Sequence, residues 1–218
     1  GYTPFSFDIT DYVNYGGDNV ITVKVNHQTP SSRWYSGSGI YRSVDLTITD
    51  PVHVDLYGTK IETPNLEEEA GGTVSTNVST TVVNDSAEAQ NVTLTHTVFP
   101  KDGDAEDSIG TVTTEAVEVA AGASADIDAT VPVNNPTLWD TSDNPALYTV
   151  RTKVKVGDTV VDTYDTEFGY RYFKLDANTG FSLNGENMKL KGVCMHHDQG
   201  ALGAEAWEDA INRQVKIL

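Results

Sequence analysis

The chain has 218 residues, enough for one large domain or about two of ordinary size. It carries 32 acidic against 14 basic residues. The resulting net charge of −18 argues against nucleic acid and anionic membranes as partners, because both would repel it. The single cysteine excludes an internal disulfide framework, and no apolar run approaches the ~20 residues of a membrane span. Composition therefore fits a secreted, a cell-surface or a cytosolic protein equally well.

Alternating apolar and polar residues predict strands along most of the chain before residue 200. Three such runs occur early, at residues 5–9, 20–25 and 44–48. Asp50 and Pro51 then mark a break. No signal peptide opens the chain, and its first residues resemble the interior of a longer protein. We therefore expect this part to belong to a domain that begins upstream.

Seven further runs follow the break, and residues typical of turns separate them. They are residues 52–56, 74–83, 92–99, 111–119, 125–131, 147–156 and 159–168. Short strands at such spacing predict an antiparallel sandwich of immunoglobulin type. Without a cysteine pair, its core must consist of alternating valine, isoleucine and leucine.

The segment 180–203 begins as a hairpin and continues as a polar loop. Asn184-Gly185 is a strong turn signal between two alternating runs, 181–183 and 188–193. The second run leads directly into Cys194-Met195-His196-His197-Asp198, with two imidazoles and a carboxylate in three residues. An amphipathic helix is predicted from about Trp207. Strand, polar loop and helix in this order are typical of the first unit of a (β/α)8 barrel, whose active site lies at the C-terminal ends of its strands.

Four short sequence phrases follow one another along the chain. They are Arg33-Trp34-Tyr35-Ser36-Gly37-Ser38-Gly39-Ile40-Tyr41-Arg42, Pro136-Thr137-Leu138-Trp139 with Pro145-Ala146-Leu147-Tyr148, Phe168-Gly169-Tyr170-Arg171, and the hairpin segment itself. Together they resemble glycoside hydrolase family 2, the β-galactosidase and β-glucuronidase family. The resemblance implies a retaining exo-glycosidase that acts by double displacement, with β-galactosidase as the first choice of activity. β-Glucuronidase and β-mannosidase are the alternatives.

The resemblance also implies a domain organisation for this mainly β chain. Residues 1–50 would be the C-terminal part of a jelly-roll sugar-binding domain, 51–170 an immunoglobulin-like sandwich, and 171–218 the hairpin and first strand and helix of the (β/α)8 catalytic barrel. In the family both catalytic glutamates follow later barrel strands, beyond Leu218. We therefore expect no catalytic residue in this chain and no activity from it alone. The run Glu67-Glu68-Glu69 is interpreted as a solvated turn.

The loop at His196 supplies the first candidate sugar-binding residues. Family members carry a His-Glu-Asp or His-Glu-His phrase here, so His196 takes its first position, His197 replaces the glutamate and Asp198 takes the third. Imidazole and carboxylate groups can pair with sugar hydroxyls. A structural histidine and a metal site are the alternatives, although adjacent residues rarely converge on one tetrahedral ion. We favour His196 and Asp198, because alternate strand-end residues point the same way.

Arg33 and Trp34 form the second candidate group. In relatives a jelly-roll loop reaches over the barrel, and an aspartate in it often contacts the sugar; the equivalent position here is Arg33. The guanidinium would bind an acidic sugar or bridge domains, and Trp34 would stack on a pyranose. The equal alternative is that the aromatic residues cover a domain interface. Cys194 is interpreted as a small buried hydrophobic residue, and Trp139 and Tyr148 as core or domain packing.

The implied partner is a carbohydrate, a terminal β-galactoside or a related glycoside. No cofactor is implied for this chain, and the sequence leaves open a divalent cation in the parent and its oligomeric state. A stand-alone carbohydrate-binding or adhesion module is the alternative from a different functional class.

Overall fold

The structure is a computed structural model that describes residues 3–28, 38–142, 145–196 and 199–218. The chain is mainly β, as predicted, with about 40% strand and 11% helix. It divides into two compact units. The larger unit is Leu46–Gly192, and the smaller unit combines Gly1–Asp45 with Val193–Leu218.

The larger unit contains every strand that the structure describes. The strands are β1 (Val52–Glu62), β2 (Thr73–Asn84), β3 (Gln90–Pro100), β4 (Gly110–Thr113), β5 (Val117–Val119), β6 (Ala123–Asn134), β7 (Tyr148–Val156), β8 (Thr159–Phe168), β9 (Phe173–Asp176), β10 (Gly180–Leu183) and β11 (Glu186–Asn187). The helices are α1 (Leu66–Glu69) and α2 (Glu208–Ile217), with 3₁₀ turns at Thr10–Tyr12, Ala105–Asp107 and Gly200–Leu202. None of the described helices has the length and apolar character needed to cross a membrane.

Two antiparallel sheets pack face to face in the larger unit. The first has the order β1-β2-β6, and the second has the order β4-β3-β7-β8 with β5 also paired to β3. Alternation explains the packing, because every second residue of β2 is buried, from Val74 to Asn84. Apolar clusters between the sheets draw on strands of both. The predicted antiparallel strands of this region are therefore confirmed, except that residues 111–119 form two strands, β4 and β5.

Strand β1 contains a bulge that brings it against β8. Its pairing with β2 is interrupted between Val54 and Thr59, and Tyr57 within the bulge has a φ of 58°. The Val54 N–H donates to Asp162 Oδ2 at 2.9 Å, and the Tyr57 N–H donates to the Tyr164 hydroxyl at 3.3 Å. Side chains of β8 thus bind the backbone of β1 along one side of the two-sheet unit.

Strand predictions at residues 5–9, 20–25 and 44–48 are wrong for this structure. Residues 3–28 and 38–50 contain no strand, and Phe5, Ile21 and Ile48 are 78%, 68% and 85% exposed. A strand is stabilised by hydrogen bonds to a neighbouring strand, and alternation alone does not supply that neighbour. The same reason applies to residues 188–193, where the Met188 N–H donates to the Phe181 carbonyl at 3.0 Å and no strand forms.

The predicted hairpin turn at Asn184-Gly185 is present. β10 pairs across it with β11, which lies just before the predicted second strand at 188–193, and also with β9, which the sequence did not predict. Phe173 of β9 stacks on Phe181 of β10, with ring centroids 6.2 Å apart. The result is a small antiparallel sheet that follows directly on β8.

Candidate functional site

Of the three residues predicted to form the pocket wall, the structure describes His196, which is exposed. His197 and Asp198 lie outside the described residues, and so do Arg33 and Trp34. These residues all belong to the smaller unit, so the segments that flank them there are described first and the phrases of the larger unit separately.

Gln199 closes a turn that extends from residue 199 to residue 205. Its N–H donates to the Gly203 carbonyl at 2.8 Å, and its side-chain Nε2 donates to the Glu205 carbonyl at 3.2 Å. The turn between them has Gly203 at a φ of 71°, which glycine adopts without strain. Gln199 Oε1 is buried and has no hydrogen-bond partner among the described residues. Sequence reasoning did not select Gln199, because its partners are backbone carbonyls that no motif reveals.

Within the smaller unit, a backbone hydrogen bond joins the first sequence phrase to the residues just before helix α2. The Ala206 N–H donates to the Tyr41 carbonyl at 2.9 Å. Arg42 lies over the Tyr41 ring, 5.1 Å from its centroid. Helix α2 then begins after Trp207, with Glu208 and Asp209 in its first turn, where acidic side chains favour the helix dipole. The segment after Trp34 and the segment after His196 therefore meet.

In the larger unit, Asn184 of the hairpin binds the second phrase and the residue that follows the third. Its side-chain Nδ2 donates to the Trp139 carbonyl at 2.8 Å, and its Oδ1 accepts from the Tyr172 N–H at 3.2 Å. Its own N–H donates to the Tyr172 carbonyl at 2.9 Å. Asn184 has a φ of 50°, a conformation that asparagine tolerates better than most residues. One turn residue thus ties the hairpin both to the nearby Tyr172 and to Trp139, 45 residues earlier.

Trp139 forms the second part of this connection, and we call Trp139, Phe168–Tyr172 and Asn184 together the joint. Its N–H donates to the Tyr170 carbonyl at 2.7 Å, and the Arg171 guanidinium lies 4.9 Å from the ring centroid. A Cβ at Gly169 would lie 2.9 Å from Trp139 Cβ, so only glycine allows this approach. Trp139 therefore has a packing role, as predicted, and packs against the Phe168–Arg171 phrase.

Tyr170 anchors the joint in the core. It is completely buried, and its hydroxyl lies 2.8 Å from Thr76 Oγ1. Burial raises the pKa of Tyr170 to about 12. Its ring packs edge-on against Tyr148, at a centroid distance of 5.1 Å. Tyr148 is 7% exposed, which agrees with its predicted core position.

The run Glu67-Glu68-Glu69 forms helix α1 rather than a turn. Glu69 accepts hydrogen bonds from the Ser75 N–H and hydroxyl, at 2.7 and 2.9 Å. Glu67 pairs with Lys174 Nζ at 2.6 Å and so connects α1 with β9. Two of the three carboxylates therefore hold structural partners, which explains an acidic run in this position without a catalytic role.

The prediction that Cys194 is buried is wrong, because it is exposed in the structure. It follows a segment that forms no strand, so no neighbouring strand covers it. In the described ranges, no three His, Cys, Asp or Glu side chains are grouped so that they could hold a metal ion. The surface has a depression lined by Thr141 and Met188–Lys191, and another on the first sheet at Lys60 and Asn77. His196 lines neither of them.

Comparison with known proteins identifies the family. Residues 52–171, which span the two sheets and end at Arg171 of the joint, match the family described as glycosyl hydrolases family 2. The chain belongs to glycosyl hydrolases family 2. The match covers more than half of the chain and confirms the family that the four phrases indicate.

The relatives of this chain include both β-galactosidases and β-glucuronidases. A β-galactosidase of Bacteroides ovatus is 42% identical over 100% of the chain, which covers 25% of that relative. A β-glucuronidase of Formosa agariphila is 30% identical over 88% of the chain, which covers 21% of it. A solved family 2 structure from Bacteroides cellulosilyticus matches 85% of the chain, with a TM-score of 0.75 and 33% identity, and the chain covers 24% of it. The chain thus spans a quarter or less of each relative.

Proposed function

We propose that the chain is part of a retaining exo-glycosidase that hydrolyses terminal β-glycosides, with β-galactosides as its substrates. The observation that carries this proposal is the 42% identity to a β-galactosidase along the whole chain. The β-glucuronidase relative is 30% identical, so the galactosidase assignment takes precedence. A retaining enzyme needs two carboxyl groups, one nucleophile and one acid/base, and we assign both to glutamates outside these 218 residues.

The proposed domain organisation assigns a role to each part of the chain. Residues 1–50 complete a jelly-roll domain, residues 51–170 form an immunoglobulin-like spacer, and residues 171–218 begin a (β/α)8 barrel. The hydrogen bonds of Asn184 to Trp139 and Tyr172 fix the hairpin to the end of the spacer. In this arrangement the hairpin that precedes the barrel is held by the spacer.

Within this enzyme, we assign His196, His197 and Asp198 to one wall of the sugar pocket. Neutral imidazole both donates and accepts hydrogen bonds, and carboxylate accepts them, which suits the hydroxyls of a pyranose. Arg33 and Trp34 contribute from the jelly-roll loop. The Ala206–Tyr41 hydrogen bond supports a shared pocket, because it joins the backbone that follows Trp34 to the backbone that follows His196.

The test compares the full-length polypeptide with the 218-residue chain on p-nitrophenyl β-galactoside, β-glucuronide and β-mannoside. We expect the full-length protein to prefer the galactoside and to release the sugar with retained configuration, and we expect the chain alone to be inactive. Preference for the glucuronide or mannoside would replace the substrate but keep the reaction class.

A second measurement separates the enzyme from a binding module. Isothermal titration of the 218-residue chain with galactose and lactose should give no measurable heat of binding, because we place most of the pocket elsewhere. Measurable affinity, together with no hydrolysis by the full-length protein, would favour the carbohydrate-binding module instead.

A further inference from the structure

The core between the two sheets is divided into two apolar clusters. One contains the buried residues Leu66, Val74, Val78, Val98, Val131, Val133, Tyr148, Val150 and Tyr170. The other contains Val52, Val54, Val82, Val92, Leu94, Val119, Ile127 and Val154. Apolar residues of both clusters occur on most of the long strands. Each of these strands therefore has an inward-facing residue between the two clusters.

On five strands a polar residue occupies this intermediate position. Thr80 separates Val78 from Val82 on β2, His96 separates Leu94 from Val98 on β3, and Thr152 separates Val150 from Val154 on β7. Thr59 lies between Val54 and Ile61 on β1, and Thr166 lies between Tyr164 and Phe168 on β8. On β6 the corresponding residue is Ala129. We call Thr59, Thr80, His96, Thr152 and Thr166 the polar layer.

Strand register brings the members of the polar layer together. Thr59 pairs directly with Thr80, and His96 pairs directly with Thr152. Thr166 pairs with Val150, one inward-facing position from Thr152. The contacts of Val54 with Asp162 and of Tyr57 with Tyr164 align β1 beside β8. Thr59 and Thr166 are the next inward-facing residues on those two strands, so the layer runs from one sheet to the other.

Most of the polar atoms in this layer have no protein partner. His96 Nδ1 lies 2.9 Å from Thr152 Oγ1. His96 Nε2 and the hydroxyls of Thr59, Thr80 and Thr166 are buried, and none has a hydrogen-bond partner among the described residues. In the described part of the larger unit, these four are the only buried side-chain atoms without a partner. The one other such atom among the described residues, Gln199 Oε1, belongs to the smaller unit. The unpartnered atoms are therefore concentrated in one layer.

Such a concentration indicates a ligand, because buried polar groups in folded proteins are almost always hydrogen-bonded. Facing sheets stack about 10 Å apart, and a threonine side chain is too short to cross that distance to an equally short partner. Valine and leucine side chains fill the apolar clusters, whereas the hydroxyls of Thr59, Thr80 and Thr166 are buried at the level between them. Three neutral hydroxyls and one imidazole, without a carboxylate, suit a neutral ligand with donors and acceptors. Water has both.

We propose that the polar layer binds internal water, which bridges His96 Nε2 and the hydroxyls of Thr59, Thr80 and Thr166. A buried water makes two to four hydrogen bonds to groups that otherwise lack partners, and this layer offers four such atoms on four strands. The bound water links the two sheets by hydrogen bonds at the level where the apolar clusters are interrupted. It is a structural part of the two-sheet unit and is independent of the glycosidase proposal.

A crystal structure of the 218-residue chain, at a resolution that shows ordered water, tests the proposal directly. We expect a solvent peak at about 2.7–3.2 Å from His96 Nε2 and from at least one of the three hydroxyls. Electron density without a solvent peak in the layer would overturn the proposal. So would direct hydrogen bonds that connect the four atoms to one another.

A pair of matched variants then tests the ligands. Thr80→Val removes one hydroxyl and keeps the shape of the side chain, so the solvent peak should disappear or move away from residue 80. Thr93→Val makes the same change on β3 at an outward-facing, half-exposed position and should leave the peak unchanged. An unchanged peak in Thr80→Val would contradict the assignment of Thr80. Should that variant fail to fold, the wild-type density still decides the proposal.

Discussion

The side-chain amide of Asn184 donates a 2.8 Å hydrogen bond to the main-chain carbonyl of Trp139, 45 residues earlier in the chain. Through the same side chain and its own N–H, Asn184 also binds both backbone groups of Tyr172. A single residue in a hairpin turn thereby connects the hairpin with the end of the two-sheet unit. A substitution at Asn184 can therefore disturb three hydrogen bonds of the joint at once.

Asn184→Asp should destabilise the chain by about 1–3 kcal/mol, because a carboxylate cannot donate to the Trp139 carbonyl and leaves it unpaired. Aspartate keeps the size of the side chain and tolerates the positive φ. Urea denaturation at pH 7 measures the change. Asn187→Asp makes the same substitution on exposed β11 and should alter stability by less than about 0.5 kcal/mol. Equal effects of the two variants would disprove a special role for Asn184.

Gly169→Ala should destabilise the chain by about 1–3 kcal/mol, since its new methyl group would lie 2.9 Å from Trp139 Cβ. The control is Gly192→Ala, where no heavy atom lies within 4 Å of the added Cβ. Thermal unfolding of both variants provides the comparison. If Gly169→Ala unfolds at the wild-type temperature, the close packing of Trp139 on this glycine is not a constraint.

Tyr170→Phe should lower stability by about 1–3 kcal/mol, because it leaves the buried Thr76 hydroxyl without its partner. Thr76→Val leaves the Tyr170 hydroxyl in the same situation. The double variant should cost less than the sum of the two, since it removes both partners. A double-mutant cycle in urea measures this coupling, and strict additivity would show that the two hydroxyls do not interact.

Acid should weaken the larger unit through His96. Burial, without a charged partner, lowers the pKa of His96 from 6.5 to about 4 in the folded state. The unfolded chain then binds one more proton than the folded chain between these values, so stability is present above pH 6.5 and is lost as pH falls towards 4. The loss is of the order of 3 kcal/mol.

Urea midpoints measured between pH 7 and 4.5 test this prediction against variants. His96→Gln should show a flatter dependence, because it does not titrate in this range. Thr93→Val, a change at an outward-facing, half-exposed position on β3 that carries no titratable group, should keep the wild-type slope. A wild-type slope in His96→Gln would mean that other groups cause the acid sensitivity.

His196→Ala should lower kcat/KM of the full-length enzyme on a β-galactoside by roughly tenfold or more, the value of about one hydrogen bond to a sugar hydroxyl. We expect the loss without a change in the temperature of unfolding, because His196 is exposed. His53→Ala serves as the control and should leave kcat/KM unchanged. Full activity of His196→Ala would remove this residue from the proposed pocket wall.

The two-sheet unit was predictable because its strands alternate strictly. Inward-facing Val74, Val78 and Val82 on β2 match the expected period of two, and the Asn184-Gly185 turn lies where its sequence placed it. Alternation at residues 5–9 is equally clear, yet no strand forms there, because a strand also depends on a neighbour that the local pattern does not specify. The same limit applied to Cys194, whose burial required a covering strand.

Contacts between distant side chains could not be predicted. Asn184 is a turn residue by sequence, and only the folded backbone brings the Trp139 carbonyl within reach. His96 occupies an inward-facing position in an apolar run, which would have indicated burial. Its pairing with Thr152, and the unpartnered hydroxyls near it, depend on strand order and register, which local alternation does not specify.

The bulge of β1 has a consequence for self-association. β1 is an edge strand of its sheet, and edge strands with free amide groups can recruit a strand from another molecule. Asp162 Oδ2 and the Tyr164 hydroxyl already accept the Val54 and Tyr57 amides, and the bulge interrupts the straight edge that a second strand would need. The fold thus protects this edge against intermolecular β-pairing with side chains from its own neighbouring sheet.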